Sequence, residues 1–356
     1  MVVTTVRSDA IELTVDGPDG PRTVRVSNPV KVYFPELGVT KADVVRYFLA
    51  VGDGIVRALH ERPTMLERWP GGVVPGAKLS VWMGERGAAF FQRRVPRGAP
   101  DWVERARIAG PAGSDDEVVC PTELAVVLWA ANLGTLRFHP WPVRRADIDR
   151  PDELRIDLDP QTGTDFHDAV RVAVELRGLL DEVGMEGFPK TSGGRGVHVY
   201  VPIPPNWPLS DVVRALGALG RELVRRMPDG VTMARRKQDR GRRVFLDHNQ
   251  MAGTIASAYS IRPGPHAMVS APVTWDELTA VSPHDLNLTT MPARFAAIGD
   301  LHARMAGRRF SIAPLLEMSD RDARDGSADD APDPPGRPET SSAPTRVRPP
   351  RSRDRA

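Results

Sequence analysis

Two acids at strand spacing are the residues most suited to chemistry in this sequence. In Leu154-Arg155-Ile156-Asp157-Leu158-Asp159-Pro160, apolar Leu154, Ile156 and Leu158 alternate with Arg155, Asp157 and Asp159. A period of two predicts a strand with one buried face, so Asp157 and Asp159 project together from the other. Pro160 is expected to end the strand and leave the acids where the sheet opens to solvent. Like charges this close repel and need a counter-charge. Hard divalent cations with oxygen ligands would supply it. An exposed strand face with ordinary acids is the plainer alternative. A further predicted strand, Val244 to Gln250, carries Asp247, which could complete a three-carboxylate cluster.

Several groups could meet phosphate. Lys190-Thr191-Ser192-Gly193-Gly194-Arg195-Gly196 leads into Val197-His198-Val199-Tyr200-Val201. Its glycines free backbone N–H groups for an anion. It is not a Walker A motif, because Gly-Lys-Ser/Thr is missing and the run enters a strand. Val197, Val199 and Val201 should face the core, which turns His198 toward an anion held by the loop. Arg235, Arg236, Lys237, Arg240, Arg242 and Arg243 form the best phosphate-binding patch; a solvated loop is the alternative. Asn28, Lys31 and Lys41 could hold another phosphate. Lys41 sits in the first turn of a predicted helix, where a cation opposes the dipole unless an anion is near. Solvated lysines fit that spacing too. Phe90 and Phe91 beside Arg93 and Arg94 suit stacking on bases next to phosphates, although a regular strand exposes at most one of the two rings. His139, in Phe138-His139-Pro140-Trp141, reads as packing or as ligand.

These residues need a scaffold. With 356 residues and 41% hydrophobic content the chain can build one large domain or two smaller ones. Its one cysteine, Cys120, excludes a disulfide framework and a cysteine zinc site and reads as structural. The net charge of +2 leaves nucleic-acid binding to local patches. Neither a long apolar run nor a signal-peptide core is found, so a soluble, cytoplasmic protein with no membrane contact is expected. A hairpin is predicted over residues 1–30, turning at Gly17-Pro18-Asp19-Gly20. Thr40 and Asp43 cap a helix to about His60, with Val44, Phe48, Val51 and Ile55 inward. A strongly apolar helix runs from Thr122-Glu123-Leu124-Ala125 to Gly134. Another follows Thr164-Asp165 to Gly184, and a third starts at Pro208-Leu209-Ser210. Ala258 to Pro263 reads as a short strand. Thr274-Trp275-Asp276-Glu277 caps a last helix. From Ser319 to Ala356 no aromatic remains and charge is balanced, so a disordered Pro/Arg-rich tail is expected.

Taken in order, these blocks resemble the polymerase domain of bacterial DNA ligase D, in the archaeo-eukaryotic primase superfamily. The resemblance rests on Asn28 to Lys41, Arg62-Pro63, Phe90-Phe91-Gln92, Leu133-Gly134 with His139-Pro140-Trp141, Asp157-Leu158-Asp159, Thr191 to His198, Val244 to Gln250, and Tyr259-Ser260-Ile261-Arg262. It implies an α+β primase-polymerase fold over residues 1–318. Central mixed and antiparallel sheets would be flanked by helices, with an N-terminal αβ subdomain to about residue 120 and a catalytic core over about 121–318. It implies that Asp157, Asp159 and Asp247 bind two catalytic ions, Mn2+ or Mg2+. Ser192, Gly193, Arg195, His198, Gln250, Arg262 and Phe91 would serve the incoming triphosphate. Asn28, Lys31, Lys41, Phe90, Arg93, His139 and Arg240 would serve DNA, the first three at a 5′-phosphate. Arg93 and Arg195 stand where relatives often carry lysine, and Gly264 where many carry arginine. The implied activity is primer extension and gap filling at broken DNA ends by two-metal phosphoryl transfer, favouring ribonucleotides. Ku and a ligase acting in trans are the implied partners. A metal-dependent phosphoesterase and a non-catalytic DNA-end binder are the rival readings.

Overall fold

The computed structural model describes residues 3–6, 9–80, 89–109, 115–248 and 254–326. Strands β1 (Val3–Val6), β2 (Ala10–Val15) and β3 (Arg22–Ser27) form an antiparallel sheet, with the predicted Gly17 to Gly20 turn between the last two. A ribbon of β4 (Val32–Phe34) and β5 (Val39–Thr40) leads into helix α1 (Lys41–Ala50). Thr40 and Asp43 close the predicted capping box, each accepting from the other's backbone N–H. The single helix expected to His60 is broken at Val51, and α2 covers Gly52–Leu59. Gly52 and Gly54 weaken propagation there. Gly54 also leaves no room for a side chain, since a Cβ would lie 2.4 Å from the Tyr259 ring.

The second sheet holds β6 (Thr64–Arg68), β7 (Leu79–Ser80), β8 (Ala89–Gln92), β9 (Arg105–Ala109) and β10 (Asp115–Val119), in the order β7-β8-β6-β10-β9. Helix α3 (Leu124–Asn132) is apolar on every side and buried, as a core helix must be. Strand β11 (Thr135–Pro140) then returns to pair with β6. The expected division near residue 120 therefore falls inside one sheet.

The third sheet carries the acids. It comprises β12 (Glu153–Pro160), β13 (Phe188–Thr191), β14 (Val197–Pro202), β15 (Val231–Thr232) and β16 (Val244–Leu246), in the order β13-β14-β12-β16-β15. Helices α4 (Phe166–Glu182) and α5 (Leu209–Arg226) lie on the face made by Leu154, Ile156, Leu158, Val199 and Leu246. β12 continues through Pro160, which pairs with Val244. β16 stops at Leu246, short of the expected end, and Gln250 lies outside the described residues.

Three C-terminal expectations need correction. Residues 258–263 form a turn and one isolated bridge, Ile261 to Val269, rather than a strand; Tyr259 there has a left-handed φ of 65°. Thr274 does close a capping box, but its helix α6 (Trp275–Leu278) is a single turn, and α7 (Met291–Ile298) and α8 (Ala313–Arg324) follow. Helix α8 runs past Ser319, so that boundary is too early. Asp320 and Asp322 on α8 pair with Arg214, Arg221 and Arg225 on α5. The rest of the expected tail, 327–356, lies outside the described residues. One continuous hydrophobic cluster joins the β2–β3 hairpin, α1, α3, the acid-bearing sheet and α8. The result is an α+β fold of antiparallel and mixed sheets flanked by helices, as expected. Among the described residues no helix is long and apolar enough to cross a membrane.

Candidate active site

Strand register builds the site. Asp157 on β12 lies opposite His198 on β14, and His198 lies opposite Lys190 on β13. On the other side the Asp247 N–H reaches the Asp157 carbonyl at 3.3 Å, continuing the β12–β16 ladder by one step. Paired positions send side chains to the same face. A row of Lys190, His198, Asp157 and Asp247 therefore crosses the face opposite α4 and α5. His198 Nε2 lies 3.3 Å from Asp157 Oδ1, and its Nδ1 lies 2.7 Å from Lys190 Nζ. Burial first, then Lys190, pushes His198 down to about 4, so its ring is neutral near pH 7.

Asp159 stands two residues on, opposite Phe245. Gln161 Nε2 donates to Asp159 Oδ2 at 3.0 Å. Arg240 stacks on the Phe245 ring, 3.3 Å from its centroid, and reaches Gln161 Oε1 at 3.4 Å. The Asp159 carboxyl is pushed above its ordinary range, by partial desolvation and then by the Asp157 charge. Gln161, Arg195 and Arg262 oppose that shift. Among the described residues no three His, Cys, Asp or Glu side chains already close into a metal-binding group. Adjacent carboxylates short of positive charge, offering oxygen donors only, nonetheless fit a hard divalent cation.

The glycine run folds differently from an open phosphate nest. Ser192 Oγ accepts from the Gly194 and Gly196 N–H groups at 3.2 and 3.1 Å, so those donors are used inside the turn. Gly193 takes a φ of 74°, which favours glycine. At Gly194 a Cβ would lie 2.7 Å from the Arg262 guanidinium, so a side chain there would push that group aside. Arg195 is exposed and braced by the carbonyls of Thr164 and Pro160. Anion attraction at this turn therefore falls to Arg262 and Arg195.

A second cluster sits on the β6–β11 face. The buried Glu67 carboxylate accepts from His139 Nε2 at 2.9 Å, Arg137 at 3.0 Å and Trp69 Nε1 at 3.1 Å. Burial pushes Glu67 up, but these partners hold it below the usual range. Phe91 meets the His139 ring edge to face at 5.3 Å, while Arg68 lies over Phe90 at 5.2 Å. Both phenylalanines are half-buried, on opposite faces as strand alternation requires. Arg93 is drawn elsewhere: it pairs with buried Asp116 and lies over Trp141. Cys120 is buried, which pushes its thiol up to about 12 and fits the structural reading.

Asn28, Lys31 and Lys41 come together at the entry to α1. The Lys31 N–H donates to the Asn28 carbonyl and the Lys41 N–H to the Lys31 carbonyl. Lys31 Nζ reaches Pro70 O at 2.6 Å, and Lys41 Nζ reaches Ser27 O at 2.9 Å. Within the basic run, Arg240 and Arg243 brace their own loop through backbone carbonyls, leaving Arg236, Lys237 and Arg242 exposed. Sequence reasoning passed over Glu67, Arg137, Gln161 and the role of Lys190. The period of two that marked Asp157 and Asp159 would also have placed Arg137 beside His139.

The site is thus an acid row closed on one side by an imidazole and a buried lysine, with arginines beside a glycine turn. The LigD primase-polymerase domain family model matches residues 40–302, and the chain belongs to that family. It is 33% identical over 327 residues to the multifunctional non-homologous end joining protein LigD of Mycolicibacterium smegmatis, covering 89% of this chain and 40% of that protein. It is 32% identical over 251 residues to the bifunctional LigD of Bacillus subtilis, covering 70% of this chain and 38% of that one. The chain thus spans about 40% of the length of the curated relatives it matches. Among solved structures, the polymerase domain of Mycobacterium tuberculosis ligase D in complex with DNA superposes with a TM-score of 0.70 at 30% identity, covering 79% of this chain and 97% of that one.

Proposed function

We propose that this chain is a DNA-dependent nucleotidyltransferase, a primase-polymerase that extends primers and fills short gaps at broken DNA ends. The observation that carries this reading is the row Lys190, His198, Asp157 and Asp247, with Asp159 two residues along β12, in a member of the LigD primase-polymerase family. Asp157, Asp159 and Asp247 would hold two divalent ions, Mn2+ or Mg2+. When bound, such ions lower the pKa of a primer 3′-hydroxyl and neutralise charge on a triphosphate. Arg195 and Arg262 would bind the triphosphate, joined by His198 as a hydrogen-bond donor. Phe91 and His139 offer a stacking surface for a base. Asn28, Lys31 and Lys41 would take the 5′-phosphate across a gap. End-joining partners such as Ku and a separate ligase fit this role.

Primer extension on a gapped duplex tests the reading, with Mn2+ or Mg2+ and with ribo- or deoxyribonucleotides. Primer growth with pyrophosphate release is expected, faster with ribonucleotides and abolished in Asp157→Ala, Asp159→Ala and Asp247→Ala. Phosphate release without primer growth would mark a metal-dependent phosphoesterase. DNA binding with neither product would mark a non-catalytic end binder.

A further inference from the structure

Lys190 is fully buried on β13, where an isolated charge is costly. Its amine meets three partners: His198 Nδ1 at 2.7 Å, the Ala256 carbonyl at 3.0 Å and Ser270 Oγ. Ser270 gives its own hydrogen to the Thr191 carbonyl at 2.9 Å, so toward Lys190 it accepts. The Ala256 carbonyl can only accept. Burial pushes the Lys190 amine well below its ordinary range, while the Asp157 charge and the Tyr200 face at 5.5 Å favour the charged form. As an ammonium it carries three hydrogens, and the third points at the remaining partner, Nδ1. On the far side of the ring, Nε2 faces Asp157 Oδ1 at 3.3 Å, and a carboxylate offers lone pairs only. The carboxylate thus asks for a proton on Nε2 and none on Nδ1, and the ammonium form of Lys190 matches that tautomer.

We propose that Lys190 is a positioning residue that fixes His198 as the Nε2–H tautomer, holding its donor over Asp157 where the triphosphate would lie. The kinetic part rests on the proposed nucleotidyl-transfer reading; the tautomer itself does not. Register supplies the geometry, because the three residues occupy one cross-strand row and the ring cannot turn without losing both partners. Ser270 and Ala256 make the device depend on the 254–270 segment as well as on the sheet. Second partners of this kind decide which ring nitrogen of a histidine carries the proton.

Nitrogen-15 NMR of histidine-labelled, nucleotide-free protein tests the tautomer directly. His198→Gln identifies the ring signals by their loss. The expected wild-type spectrum has a protonated Nε2 and an unprotonated, hydrogen-bonded Nδ1. In Lys190→Met, the Nδ1 signal should move to the position of an unbonded ring nitrogen. A proton on Nδ1 in the wild type would overturn the proposal, and that spectrum needs Lys190→Met neither to fold nor to act. So would an unmoved Nδ1 signal in a folded Lys190→Met. In primer extension, Lys190→Met should raise the nucleotide KM about tenfold, the size expected for a lost charge-assisted hydrogen bond. DNA affinity should not change. The effect should vanish in the His198→Gln background. Additive losses there would mean that Lys190 acts other than through His198. Absent primer extension with the predicted spectrum would instead refute the nucleotidyl-transfer reading and leave the tautomer assignment standing.

Discussion

Lys41 differs from an ordinary lysine because it is only 5% exposed. Burial first, then the neighbouring Lys31, lowers it to about 8. Attraction to a phosphate dianion needs the ammonium form, so affinity lost above that pH is the expected sign. Binding to a gap with a 5′-phosphate should weaken as pH rises through about 8, while binding to a 5′-hydroxyl gap should change little. Lys41→Ala should flatten the difference between the two. Fluorescence titrations of both duplexes between about pH 7 and 9 measure this, a window in which an unperturbed lysine stays charged. A preference that held steady to the upper limit would remove Lys41 from the pocket. At this scale the sequence was informative where partners are local. Asp157, Asp159 and His198 were legible because a period of two decides which way they point. The work of Lys190 was not, since its partners come from residues 198, 256 and 270. Arg240 looked like a phosphate ligand by composition but lies flat on Phe245 beside Gln161.

Helix α8 is the element that composition concealed. Its second half is almost wholly polar, and balanced charge without aromatics reads as a segment unable to offset its ordering entropy. The structure gives those charges specific partners. Asp322 is buried and bridges Arg221 at 2.7 Å and Arg225 at 3.2 Å. Leu315 and Met318, a turn earlier, enter the core. Truncation after Met318 should therefore lower the melting temperature by several degrees relative to truncation after Gly326. Asp322→Ala should cost about 2 kcal/mol, the loss of charge-assisted hydrogen bonds near the surface. Calorimetry of the two truncations and the point variant decides it, and equal melting temperatures would detach α8 from the fold. The break between α1 and α2 is a milder case. Thr40 marked the start of the helix, but Gly52 and Gly54 were readable as a stop only once Leu124 and Tyr259 were seen packed against them.

For the molecule as a whole, the acids link cation binding to stability. Asp159 has its carboxyl raised by partial desolvation and by Asp157. A raised acid binds its proton more tightly when folded, so its contribution is favourable at low pH and is lost as pH rises through the folded value. Near neutral pH that cost is fully present, and a bound cation would relieve it. In chelator at pH 7, Asp159→Asn is expected to melt higher than the wild type. Mn2+ should raise the wild-type melting temperature by mass action and raise the variant's less. Thermal scans with and without metal measure both, and an identical Mn2+ response would place the ion elsewhere. The α+β architecture could be anticipated from the order of the blocks. The sharing of a single core could not, because the register of β11 against β6 and the path of residues 254–270 are non-local. That arrangement has a further consequence. One edge of β11 pairs with β6, and along the other Ser257, Ser260 and Ile261 bond to Leu136 and Phe138. The same strand holds Arg137 and His139, and the segment bonded to it leads directly to Arg262. The wall that would receive a base and the end that would receive its phosphates are thus anchored to one spine. Their separation is set before any nucleotide arrives, as in a fixed gauge, and a substrate of the wrong length would be refused by dimension alone.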